Sequence, residues 1–87
     1  MKSEIFSHAI QNRQLLRFVY NGRQLTVEPV FIGTEPSGAK VVYARPISTR
    51  RIEKYPYRQI FNIRTLNVPA YAPVLPLASI YSGLRAV

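Results

Sequence analysis

Asn21-Gly22 lies between two runs rich in β-formers, residues 15–20 and 23–29. A two-residue turn of this kind needs positive φ at both central positions. Asn tolerates that region and Gly enters it freely, so the pair marks a tight β-hairpin. The loop length then sets the register: Tyr20 opposite Arg23, Phe18 opposite Leu25, Leu16 opposite Val27. All six side chains share one face, and four of them are strongly apolar. The other face takes Arg17 against Thr26 and Val19 against Gln24. Turn chemistry and period-two hydrophobicity thus agree on one hairpin with one buried side.

The neighbouring segments extend this unit. In residues 3–12, Ile5, Phe6, Ala9 and Ile10 recur at helical spacing, with Ser3 as N-cap, Glu4 in the first turn and Asn12 as the stop. Pro29 ends or bends the second hairpin strand. Val30-Phe31-Ile32-Gly33 is a short apolar piece, and Glu35-Pro36-Ser37-Gly38 has the residues of a turn. Residues 40–47 read as a third strand, with Val41, Tyr43 and Arg45 on one face and Lys40, Val42 and Ala44 on the other. Residues 48–58 are polar and basic and read as a loop. Residues 59–68 hold one or two short strands. Residues 69–76 form a proline-rich connector. Leu77, Ile80, Tyr81 and Leu84 then give a short C-terminal amphipathic helix, with Pro76 at its start. The expected fold is mainly β with flanking helices, a small β-barrel in a single domain over 1–87. The apolar residues of the two helices serve either as a cover for the barrel or as a dimer interface.

Composition narrows the chemistry. The 87-residue chain has no Cys, so a disulfide scaffold, a thiolate zinc site and a cysteine nucleophile are excluded. It has one His, His8, and four carboxylates spread along the chain, which argues against a metal cage or a Ser-His-Asp triad. His8 reads as a surface residue. Glu4, Glu28, Glu35 and Glu53 lack the clustering a metal-dependent nuclease needs. The expectation is therefore no enzyme and no cofactor. Residues 65–84 are uncharged, but Pro69, Pro73 and Pro76 break any helix there, so no membrane span is expected. Met1-Lys2-Ser3-Glu4 lacks the apolar core of a signal peptide, and the chain reads as cytoplasmic.

Charge carries the main functional signal. Twelve Lys and Arg against four acidic residues leave a net charge of +8. Between Lys40 and Arg64 there are seven cations and one carboxylate, with tyrosines interleaved. Cations to neutralise phosphates and rings to stack bases are the two parts a single-strand binding surface needs. Arg45, Arg50, Arg51, Lys54 and Arg58 are the candidate phosphate ligands, and Tyr43, Tyr55 and Tyr57 the candidate stacking rings. Arg50-Arg51 with Lys54 also suit a pocket for one phosphate. The plain structural reading of the same residues is a solvated basic face with packed tyrosines. Arg13, Arg17 and Arg23 extend the surface or pair with carboxylates. A half-buried Glu28 would need an arginine partner, for which Arg17 or Arg45 would serve.

Ala9-Ile10-Gln11-Asn12-Arg13, Phe18-Val19-Tyr20-Asn21-Gly22 and Val27-Glu28-Pro29, in this order and followed by Ser37-Gly38-Ala39-Lys40 and a strand ending in Ala44, resemble the WYL family, in particular its short stand-alone members. The resemblance runs from about Ile5 to Leu84. Aligned on Ala44, the family's naming triplet falls on Lys40-Val41-Val42, which keeps only its apolar character. Phe61-Asn62-Ile63 stands where members usually carry Asp-Arg-Ile. The resemblance implies an SH3-like or Sm-like β-barrel and a regulatory, ligand-sensing role in DNA-damage, phage-defence or CRISPR systems. It implies nucleic acid or a nucleotide-type ligand as the partner. A homodimer, through the apolar helix residues, or a larger regulatory protein complex is the other partner expected. The competing reading is a protein–protein accessory module whose basic face docks on an acidic partner.

Overall fold

The computed structural model describes residues 1–69, with side chains through Leu66. The expected connector beyond Pro69 and the expected helix at 77–84 lie outside the described residues. Helix α1, Lys2–Asn12, buries the expected stripe: Phe6 and Ala9 are essentially inaccessible, and Ile5 packs beside them. Its N-cap is Met1, not Ser3, and makes no side-chain capping bond. Ser3 is already inside the helix, where its hydroxyl meets the Tyr57 hydroxyl at 2.9 Å. The stop falls one residue beyond Asn12. Arg13 turns left-handed at φ 51° and donates its N–H to the carbonyls of Ala9 and Ile10.

Strands β1, Gln14–Tyr20, and β2, Arg23–Thr34, form the hairpin in the expected register, from Leu16 opposite Val27 to Tyr20 opposite Arg23. Asn21 and Gly22 both have positive φ, 51° and 76°. Nothing lies within 4 Å of a Cβ built on Gly22, so substitution there is opposed by the backbone alone. Gly22→Val should cost about 1–2 kcal/mol, because a branched side chain resists the left-handed region. The melting temperature should fall by roughly 4–16 °C. A thermal melt followed by circular dichroism tests this, and an unshifted midpoint would show that the turn carries no such requirement.

Pro29 bends β2 without ending it. A proline cannot donate to the ladder, and the pairing with strand β3, Lys40–Pro46, shifts register between Pro29 and Phe31. The turn before β3 closes as expected, with the Gly38 N–H donating to the Glu35 carbonyl at 2.8 Å.

The segment 48–58 departs from the expected loop. It contains strand β4, Glu53–Pro56, and a 3-10 turn, Tyr57–Gln59. β4 pairs with β3, placing Tyr55 opposite Val42 and Lys54 opposite Tyr43. Its charged composition hides it, because a four-residue strand is decided by the open edge of β3 and not by its own residues. Strand β5, Ile60–Pro69, then runs as one irregular strand, with register shifts against β1 and Asn62 at φ 55°.

The five strands make one antiparallel sheet in the order β4-β3-β2-β1-β5. Among the described residues the expected barrel closure is not found: β4 and β5 are the two edges of this sheet. Closure needs continuous hydrogen bonding between the edges. Here β4 ends at Pro56 after four residues, and the chain passes through the 3-10 turn to pair with β1 instead. Helix α1 covers the inner face. Every strand contributes to the core beneath it, through Leu16 and Phe18, Val27, Val42 and Ala44, Tyr55, and Ile60. Phe18 is central, with edge-on ring contacts to Phe6 at 6.4 Å and Tyr55 at 5.5 Å.

Candidate nucleic-acid interface

With α1 on the inner face, strand alternation sends the opposite residues outward. On β3 these are Tyr43 and Arg45, and on β4 the neighbour of Tyr43 is Lys54. On β2 the residue opposite Tyr43 is Phe31. Its ring centroid lies 5.8 Å from that of Tyr43, at an interplanar angle of 38°. Phe31 is 59% exposed, which leaves much of its ring open. Gly33 makes room for the pair: a Cβ there would sit 3.1 Å from the Tyr43 ring. At the other half of the same face, β1 and β5 set Arg17 opposite Arg64, both exposed.

Phe31 is the functional candidate that sequence reasoning missed. Val27 and Pro29 both point inward and are buried. Strict alternation would carry Phe31 into the core with them. The register shift after Pro29 inserts one residue, reverses the phase, and turns Phe31 out and Ile32 in. Pro29 itself was the available signal, because proline inside a strand marks a bulge or an edge.

Of the cations on this face, Arg45 has no ion pair among the described residues. Glu28, opposite Arg45, is half-buried and takes Arg13 as its partner at 3.0 Å, not Arg17 or Arg45. Arg17 instead donates to the Thr26 hydroxyl at 3.3 Å. The Nε of half-buried Arg45 is itself buried, with no acceptor among the described residues. Arg50 and Arg51 are exposed in the connection between β3 and β4. Arg50 adopts φ 64° with its N–H on the Pro46 carbonyl, and the Arg51 N–H meets the Thr49 hydroxyl. Lys54 is the exception. It is bound to Glu35 at 2.7 Å, and that hydrogen bond, with the Coulombic attraction, holds its pKa above the ordinary lysine value. The expected single-phosphate pocket of Arg50, Arg51 and Lys54 thus loses its lysine to Glu35.

Two of the expected stacking rings serve other ends. Tyr55 is 5% exposed and lies edge-on to Phe18 and Tyr20 in the core, so it has no free face for a base. Burial is the main reason its phenol pKa is raised, with Glu53 and Tyr20 adding to the effect. Tyr57 is half-buried against Phe6 at 5.2 Å, and its carbonyl accepts a hydrogen bond from the Lys2 ammonium. It latches α1 to the 3-10 turn. Arg58 is exposed on that turn. His8 is exposed. Among the described residues, no helix is long and apolar enough to cross a membrane.

No family model, no curated protein and no solved structure matches this chain.

Proposed function

We propose that this chain is a non-enzymatic, regulatory nucleic-acid-binding domain that takes a single strand across the outward face of its sheet. The observation that carries this reading is the Phe31–Tyr43 ring pair, Phe31 exposed and Tyr43 half-buried, on the strand face that also carries Arg45. Bases of a single strand stack on Phe31 and Tyr43, while phosphates run past Arg45 and the Arg50-Arg51 connection. A duplex keeps its base faces stacked internally, so such a platform favours single strands. The helix followed by a tight hairpin supports the WYL-like resemblance. The strand order β4-β3-β2-β1-β5, with a 3-10 turn before the last strand, supports an SH3-like or Sm-like arrangement in open form. A sensing role in the systems that resemblance implies follows from the same reading.

The test is fluorescence anisotropy with labelled single-stranded DNA, single-stranded RNA and duplex DNA, between about 50 and 200 mM salt. Tight, steeply salt-dependent binding of single strands is expected. Arg50→Ala/Arg51→Ala should weaken it and flatten the log–log salt slope by about 1.4, two single-strand phosphate contacts at roughly 0.7 each. An unchanged slope removes that connection from the interface. Weak binding, equal for all three probes, would overturn the proposal and favour an acidic protein as the partner of the basic face.

A further inference from the structure

A second basic feature lies away from the outward sheet face. The start of α1, the start of β3 and the 3-10 turn converge on an open cleft of about 500 Å³, lined by Lys2, Ser3, Ala39, Lys40, Tyr57 and Arg58 together with Met1. Residues 2, 40 and 58 are far apart in sequence, yet all three line this one cleft. Among the described residues no carboxylate lines the cleft. Neither Lys40 nor Arg58 has an ion pair among the described residues. Lys2 is held in position: its Nζ donates to the Tyr57 carbonyl at 2.5 Å and lies 5.8 Å from the centre of the Phe61 ring. An ammonium has three donors, so this anchoring leaves it able to bind an anion as well. The Ser3–Tyr57 hydroxyl contact fixes the same corner from the other side.

We propose that this cleft binds the phosphate of a nucleoside 5′-phosphate. Three cations without a counter-charge call for a multiply charged anion, and Arg58 can grip phosphate oxygens in a fork while the lysines act as point charges. The cleft is open to solvent on one side, so a ligand lies along its wall with the phosphate on the cations and its organic part partly exposed. The Tyr57 side chain and the Ala39 and Met1 side chains supply a wall for the organic part. The same chemistry has two sources, a free mononucleotide or the 5′-phosphorylated end of a strand. The proposal does not depend on strand binding at the Phe31–Tyr43 face, because the two sites share no residue.

The test uses the full chain and its Lys40→Ala/Arg58→Ala variant. Both residues are exposed, so the variant should keep the parent's melting temperature. Adenosine 5′-monophosphate, adenosine and inorganic phosphate are titrated by calorimetry. Oligonucleotides with a 5′-phosphate and a 5′-hydroxyl are compared by anisotropy. The monophosphate should bind more tightly than either adenosine or phosphate, and the variant should lose roughly tenfold or more of that affinity, as expected for charge-assisted hydrogen bonds. A gain from the 5′-phosphate on the oligonucleotide, lost in the variant, identifies the strand end as the source. No such gain, with the mononucleotide bound, identifies the free nucleotide. Absence of both effects, or their persistence in the variant, overturns the proposal. Binding of the 5′-hydroxyl oligonucleotide reports on the sheet face alone, so failure at one site is distinguishable from failure at the other.

Discussion

Phe18→Ala is expected to remove about 3–5 kcal/mol of stability. The side chain is fully buried at the middle of β1, with Phe6 of the helix on one side and Tyr55 of β4 on the other. Its loss leaves a cavity where helix and sheet meet, and no neighbour is free to fill it because both flanking rings are themselves tied down. Tyr55 also contacts Tyr20, and Phe6 also contacts Tyr57. Domains of this size have a net stability of about 4–13 kcal/mol, so the substitution takes a large share and can unfold the chain at ambient temperature. Urea denaturation reads the effect as a lower midpoint at unchanged slope. Phe18→Leu, which keeps most of the volume, should cost less. Equal midpoints for Phe18→Ala and the parent would mean that the helix does not pack on the sheet as described.

Phe31→Ala/Tyr43→Ala is the counterpart on the opposite face. Base–aromatic stacking contributes about 1–3 kcal/mol per base, so removing both rings should weaken single-strand binding by roughly thirtyfold or more. The salt slope should stay the same, because no phosphate contact is lost. This is the reverse of the pattern expected for Arg50→Ala/Arg51→Ala, and the pair of experiments separates stacking from charge. Phe31→Ala alone is the safer first variant: its side chain is already mostly in water, so stability should hold. Tyr43 lies partly over Gly33, and the double variant needs a melt beside the binding curve. Undiminished affinity in a folded double variant would remove the aromatic pair from the interface.

Much of the scaffold was legible in the residues. Asn21-Gly22 has few conformational alternatives, and with it came the cross-strand pairs that the structure contains. The apolar stripe of α1 and the alternation in β3 are likewise short-range patterns. Legibility of the candidate site was poorer. Tyr43 and Arg45 were placed together on one strand face, where they lie. Tyr55 and Tyr57 stand among cations in the chain, which gives them the pattern of stacking rings. Their neighbours in space are instead Phe18, Tyr20 and Phe6, which belong to other elements.

The hairpin and its register, the helix and the basic character of the surface are legible in the residues alone, because each follows from interactions within a few residues or from composition. The tertiary structure alone decided the rest. β4 exists because β3 offers it an edge. Phe31 faces outward because a proline-induced bulge reverses the phase of β2 against β3. Lys2, Lys40 and Arg58 meet because α1, β3 and the 3-10 turn are brought to one corner. In each case the determining partner lies far along the chain, and its position is set by burial of the common core.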